Sequence, residues 1–202
     1  MALFSTAYFP PLSYMKELIH ASKASIEQHE TYPKQTYRNR CYIYTANGRL
    51  PLIVPVIKTN GNRTKTKDIK IAYDEKWQQN HIRALESAYS ASAYYLFYKD
   101  EIETIISGGY EYLTDLNNAI LTKLLDLIHI KKQLSYTKNF QKESNQETDL
   151  RNAFSPKKWP HATVKKYFQV FSHKHGFIPD LSILDLLFNL GPETYNHLSS
   201  NY

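Results

Sequence analysis

Leu3–His29 reads LFSTAYFPPLSYMKELIHASKASIEQH, and its punctuation sets the architecture. Leu3–Phe9 is apolar and β-prone, and Pro10–Pro11 stops it, because each proline removes a ladder donor. Ser13 is a residue type that caps helices, so a helix is expected from there to about Ala21. Ala24–His29 returns as a second β-prone run. A strand, a helix and a second strand in so short a span form a βαβ unit, which joins parallel strands.

The next signal is a hairpin within Lys34–Val56. Two β-rich runs flank Asn47–Gly48, the dipeptide that best tolerates the positive φ angles of a tight hairpin turn. With that pair at the tip, Thr45 faces Leu50, Ile43 faces Leu52 and Cys41 faces Val54. Cys41, Ile43, Leu50, Leu52 and Val54 then form a core face. Pro51 and Pro55 place the second strand at a sheet edge or on a bulge.

The remaining chain is richer in helical patterns. Residues 58–67 read as a polar, basic loop, and Asp68–Tyr73 as a weak strand. Asp74 can cap a helix reaching Tyr89, and Ala93–Ile106 continues as another before Gly108–Gly109. Tyr112–Ile130 spaces Leu113, Leu116, Ile120, Leu124 and Leu127 three or four apart, the period of an amphipathic helix. Leu121, Leu125 and Ile128 widen that stripe. Residues 141–163 are polar and then basic, with two prolines, and are expected to be a mobile surface loop with little regular structure. Tyr167–Phe171 suggests a strand. Leu181–Leu190 is apolar nearly all round and should be a buried helix, ended by Gly191. The expected fold is one layered α/β/α domain over residues 1–202. It opens with the strand–helix–strand unit, carries a β-hairpin around 40–56 and has a helical second half.

Composition narrows the function classes. The chain of 202 residues holds 25 Lys+Arg against 19 Asp+Glu, a formal charge of +6 without any basic tail. The single cysteine excludes an intramolecular disulfide framework and Cys-based zinc clusters. No apolar run reaches the length of a membrane span, and the N-terminus lacks a cationic start, so a cytoplasmic protein is expected. There is no P-loop, GxGxxG, GxSxG or HExxH motif.

Several stretches carry residues suited to chemistry. If Lys34–Tyr44 is one extended strand, Lys34, Arg38, Arg40, Tyr42 and Tyr44 share a face, a seat for phosphate or carboxylate. The competing reading is a solvated polar face. On the helix ending at Tyr89, Trp77 and His81 share a stripe. Burial would keep that imidazole neutral and able to act as a base, or it is a hydrogen-bonded core histidine. Asp185 sits in a very apolar helix. It either closes a capping box with Ser182 or serves a site. Glu27-x-x-Glu30 with His29 places two carboxylates near a strand end, suited to acid–base work. Ser155–Pro179 holds five lysines and three histidines and no acid, which reads as an anion-attracting surface rather than a metal site.

Four segments together carry a resemblance. AYFPPLSYMKELIHAS, KQTYRNR followed by NGRLPLIVPV, WQQNHIRALESAY and GFIPDLSILDLLFNLGPE, in that order, resemble the WbqC-like family. The resemblance implies a role in bacterial surface-polysaccharide (O-antigen) synthesis, including transfer of glycine onto an amino sugar. Many members begin with His-Gln-Pro, and here that place reads Ser5-Thr6-Ala7-Tyr8-Phe9-Pro10. The opening is also similar to nucleotidylyltransferase-like α/β enzymes, which hold ATP phosphates at the first strand–helix turn.

The resulting expectation is an aminoacyl or acyl transfer to the amine of a nucleotide sugar. His81 is the expected base, Asp185 or Glu27 orients the base or the amine, and Lys34, Arg38 and Arg40 hold phosphates. Trp77, Tyr8 and Tyr14 line the pocket. No metal is expected, and the sequence names no cofactor. The rival classes are a nucleic-acid-binding module, which the scattered charge disfavours, and a non-catalytic partner in a glycan-assembly complex.

Overall fold

A computed structural model describes residues 1–140, 142, 148–160 and 164–200. The opening unit is β1 (Ala2–Ser5), α1 (Leu12–His20) and β2 (Ala24–Glu27). The hairpin is β3 (Arg40–Thr45) and β4 (Gly48–Ile53), followed by β5 (Val56–Lys58) and β6 (Ile69–Ile71). Then come α2 (Trp77–Tyr89), α3 (Tyr95–Ile106), α4 (Leu113–Leu127), β7 (Leu134–Tyr136) and β8 (Thr148–Asp149). The chain closes with a single turn α5 (Ser172–His175), then α6 (Ile183–Leu190) and α7 (Thr194–Ser199). This is a mixed, layered α/β fold. A four-stranded parallel sheet in the order β7-β2-β1-β8 is accompanied by two antiparallel ribbons, β3–β4 and β5–β6. Among the described residues, no helix is long and apolar enough to cross a membrane.

The two faces of the sheet differ. Ala2, Phe4, Ala24 and Ile26 join the main core, where the Phe4 ring lies 5.1 Å from that of Tyr14 on α1. Alternation turns Leu3, Ser25 and Glu27 to the other face, where they line a small pocket with Thr137–Asn139.

β1 is shorter than its sequence suggests. After Ser5 the chain leaves the sheet for a buried turn, in which Tyr8 N–H donates to the Tyr37 carbonyl and Phe9 takes a positive φ of 38°. α1 begins at Leu12 without a cap of its own. Ser13 lies inside its first turn, and both its N–H and its hydroxyl donate to the Asp180 carboxylate, at 2.8 and 3.0 Å. A carboxylate at a helix N-terminus answers free amides and the positive end of the dipole; here it comes from a residue 167 positions away.

The hairpin differs by two in register. Thr45 pairs with Gly48 and Cys41 with Leu52, so Ala46–Asn47 form the tip. Gly48 follows at φ 92°, a left-handed residue after the turn rather than a member of it. A shift of two preserves parity. Cys41, Ile43, Leu52 and Val54 are therefore buried as expected, while Leu50, opposite Ile43, is exposed.

The helical stripes hold. Leu113, Leu116, Ile120 and Leu124 are fully buried, and Leu121, Leu125 and Ile128 nearly so. Every residue of α6 but Leu190 is buried, and each large apolar side chain so buried contributes about 1.5–3 kcal/mol. Two other expectations change. Tyr167–Phe171 is not a strand. The Gln169 side-chain amide instead pairs with both backbone groups of Ile178 at 2.9 Å, in the manner of a ladder rung. In the stretch expected to be an irregular loop, residues 141, 143–147 and 161–163 lie outside the described residues. Its described part supplies the edge strand β8, and buries Arg151 and Phe154.

Candidate functional site

The strand order defines the place to look. From β1 the chain moves to β2 and β7 on one side, then crosses back to β8 on the other side of β1. In open parallel sheets ligands bind outside the carboxyl ends of the strands at such a reversal. At that end, segments following β2 and β8 enclose a cleft of about 500 Å³ lined by His29, Glu30, Thr31, Lys65, Phe140, Lys142, Asp149 and Arg151.

The walls are a network of ions, buried except for Asp149. Arg38 is 2% exposed and grips Glu30 with two hydrogen bonds, at 2.7 and 2.9 Å. A third N–H of Arg38 reaches the Arg151 carbonyl at 3.3 Å, and Asn117 of α4 holds the Arg38 carbonyl at 2.8 Å. Arg151 donates to Asp149 through Nε at 2.9 Å and through a second nitrogen at 2.5 Å, and reaches Glu27 at 3.4 Å. These bonds hold the Asp149 carboxyl below the usual carboxylate range. Glu27, fully buried at the end of β2, also accepts from the His29 backbone at 2.6 Å and from Thr137 at 3.0 Å. Charges as deep as Glu27, Glu30, Arg38 and Arg151 persist only when each is paired and bonded, as these are. Beneath the network, the Tyr14 hydroxyl donates to the Ser5 carbonyl at 2.8 Å.

The expected site residues separate into groups. Glu27 and Arg38 belong to this cluster, whereas Lys34, Arg40 and His81 do not line the cleft. The shared face proposed for Lys34, Arg38 and Arg40 requires one long strand. β3 starts only at Arg40, and Gln35 has a positive φ of 60°, so alternation does not run through 34–39. Lys34 is exposed on that irregular segment, and Arg38 spends its planar fork on Glu30.

His81 is a buried core histidine. Its Nδ1 meets the Tyr8 hydroxyl at 2.8 Å, and the Trp77 ring lies 5.2 Å away. Burial pushes its pKa down to about 4, against a smaller opposite pull from a hydrogen bond to the Ile53 backbone. Burial also keeps the Tyr8 phenol protonated, so it donates to the neutral ring. Tyr8, Trp77 and His81 thus pack the β1–α1 turn against α2.

Asp185 is the hub of a second buried network. It accepts from the Tyr89 hydroxyl at 2.8 Å, the Tyr167 hydroxyl at 2.5 Å and the Gln169 amide at 2.8 Å. The capping-box reading fails on its return bond: Ser182 caps Leu184 N–H, but its own N–H goes to the Tyr42 carbonyl. Burial raises the Asp185 pKa, and the three donors oppose that rise. Asp185→Asn should therefore lower stability by about 1–3 kcal/mol, because an amide cannot accept from all three donors. Ligand affinity at the cleft should not change. A urea melt paired with a binding titration checks both.

The phosphate seat expected at the first strand–helix turn is closed. Ser5–Met15 are all buried, and Asp180 occupies the amino end of α1. Little in the local sequence marks the cleft's partners. Arg151 lies 124 residues from Glu27 in a polar stretch, and only the Glu27-x-x-Glu30 pair signalled the place. Among the described residues no group of three or more metal-ligating side chains gathers.

The uncharacterized protein Rv1507c of Mycobacterium tuberculosis is 25% identical over 224 aligned residues, covering 98% of this chain and 96% of that protein. No solved structure matches the chain. Residues 6–157 match the WbqC-like protein family, a span that takes in every residue lining the cleft. On that match over most of its length, the chain belongs to the WbqC-like protein family.

Proposed function

We propose that the protein is an enzyme of bacterial surface-polysaccharide synthesis. It would transfer an aminoacyl (glycyl) or acyl group to the amine of an anionic sugar substrate, such as a nucleotide sugar. Family membership supports the setting. The observation that carries the reading is the cleft at the sheet reversal, where carboxylates, lysines and one imidazole meet. Glu30 and Asp149, held rigid by their arginines, are suited to orient the substrate amine. His29 takes the role first expected of His81, because it lines the cleft while His81 is sealed in the core. In the transfer, the amine nitrogen bonds to the acyl carbon, the donor's leaving group departs with its electron pair, and the amine proton passes to His29.

The test is product analysis by mass spectrometry after incubation with nucleotide amino sugars and an activated glycyl donor. An amide product should appear, and His29→Ala should reduce its rate by about 100- to 10,000-fold with little change in sugar affinity. No amide with any amino sugar, and no rise in melting temperature on adding one, would remove the enzyme reading. A salt-sensitive gel shift under the same conditions would favour a nucleic-acid module instead.

A further inference from the structure

We propose that the cleft is a nucleoside diphosphate seat in which lysine side chains, rather than a helix N-terminus, hold the phosphates. This rests on the enzyme reading and names the part of the substrate that the cleft grips. Both oxygens of Glu30 are taken by Arg38, and Asp149 is taken by Arg151. With Glu27, also bonded to Arg151, the network carries three carboxylates against two guanidiniums, one negative charge in excess. Lys65 and Lys142, which are exposed, come from different segments and line the same cleft, turn that balance positive at the mouth. Neither pairs with a carboxylate among the described residues. Two ammonium groups on separate segments suit an extended dianion better than a single carboxylate.

The ring-binding half comes from Phe140. Its ring is half exposed, lines the cleft and lies 5.2 Å from the Arg151 guanidinium carbon. An aromatic face beside a cationic groove is the arrangement on which nucleobases stack. A volume of about 500 Å³ suits a ligand of nucleotide size. The alternative phosphate seat at the amino end of α1 is filled by the Asp180 carboxylate, 1% exposed.

Calorimetric titration of the full chain with UDP, ADP, pyrophosphate and uridine tests the proposal. UDP and ADP should bind, pyrophosphate more weakly, and uridine not at all. Lys65→Ala and Lys142→Ala should each weaken UDP about tenfold to a hundredfold, as expected for one lost charge-assisted contact. Phe140→Leu should weaken UDP but leave pyrophosphate unchanged. The proposal is overturned if none of the four binds, or if uridine matches UDP. It is equally overturned if the double lysine variant, with an unchanged melting temperature, keeps full UDP affinity. Diphosphate binding without any amide product would leave this inference standing and remove the transfer reading. Amide formation with an unchanged KM in the double lysine variant would do the reverse.

Discussion

Arg38→Ala should destabilise the protein by about 3–5 kcal/mol, the cost of leaving a buried charge without its partner. The residue left behind is Glu30, whose side chain is 10% exposed and whose two oxygens both lose a guanidinium N–H. The same change frees the Arg151 carbonyl, to which Arg38 donates. The double variant Arg38→Met with Glu30→Leu should recover most of the loss, since replacing both members of a buried pair by apolar groups is often neutral. A denaturant double-mutant cycle measures this directly. The sequence alone suggested that Arg38 grips a ligand phosphate, in which case Arg38→Ala would weaken ligand binding and leave stability nearly unchanged. A midpoint shifted by less than about 1 kcal/mol would return Arg38 to that role.

The second large effect is a pH dependence centred on His81. Its pKa falls from 6.5 to about 4 on folding, chiefly through burial. The unfolded chain therefore takes up the proton first, so stability is full above pH 6.5 and is lost as the pH falls from 6.5 toward about 4. At about 1.4 kcal/mol per pH unit across that interval, the loss approaches about 3 kcal/mol. Asp185 tilts the other way, because its raised pKa lets the folded state hold a proton more readily. The readout is therefore the difference between the wild type and His81→Gln, an amide that still accepts from Tyr8. Wild-type stability should fall more steeply than that of the variant between pH 6.5 and 4.5. Parallel curves would show that His81 is not the residue responsible.

These two residues show how far local reading reached. His81 lies with Trp77 on the inward stripe that helical spacing predicts, because that periodicity is local. Which role it serves depends on Tyr8, 73 residues away, whose hydroxyl meets Nδ1 in a sealed interior. Arg38 departs from the expected shared face because strand alternation does not run through residues 34–39, where the backbone is irregular. The carboxylate pair Glu27-x-x-Glu30 is legible in the sequence, but Arg151, the partner of Glu27, follows β8 in a stretch without periodicity, and Arg38, the partner of Glu30, lies on an irregular segment.

The sequence by itself determined the βαβ opening, the hairpin's buried parity, the α4 stripe and the buried α6. Those follow from repeats of two and of 3.6 residues, and from prolines and glycines acting on their own neighbours. Only the tertiary structure decided the order β7-β2-β1-β8, the Asp180 plug on α1 and the pairing of Arg38 and Arg151 with Glu30, Asp149 and Glu27. A charge is visible in the sequence, but its partner is chosen by burial. Removing an ion from water is so costly that the folded chain must bring donors or a counter-ion to it, from 167 residues away for Ser13 and Asp180 or 124 for Glu27 and Arg151.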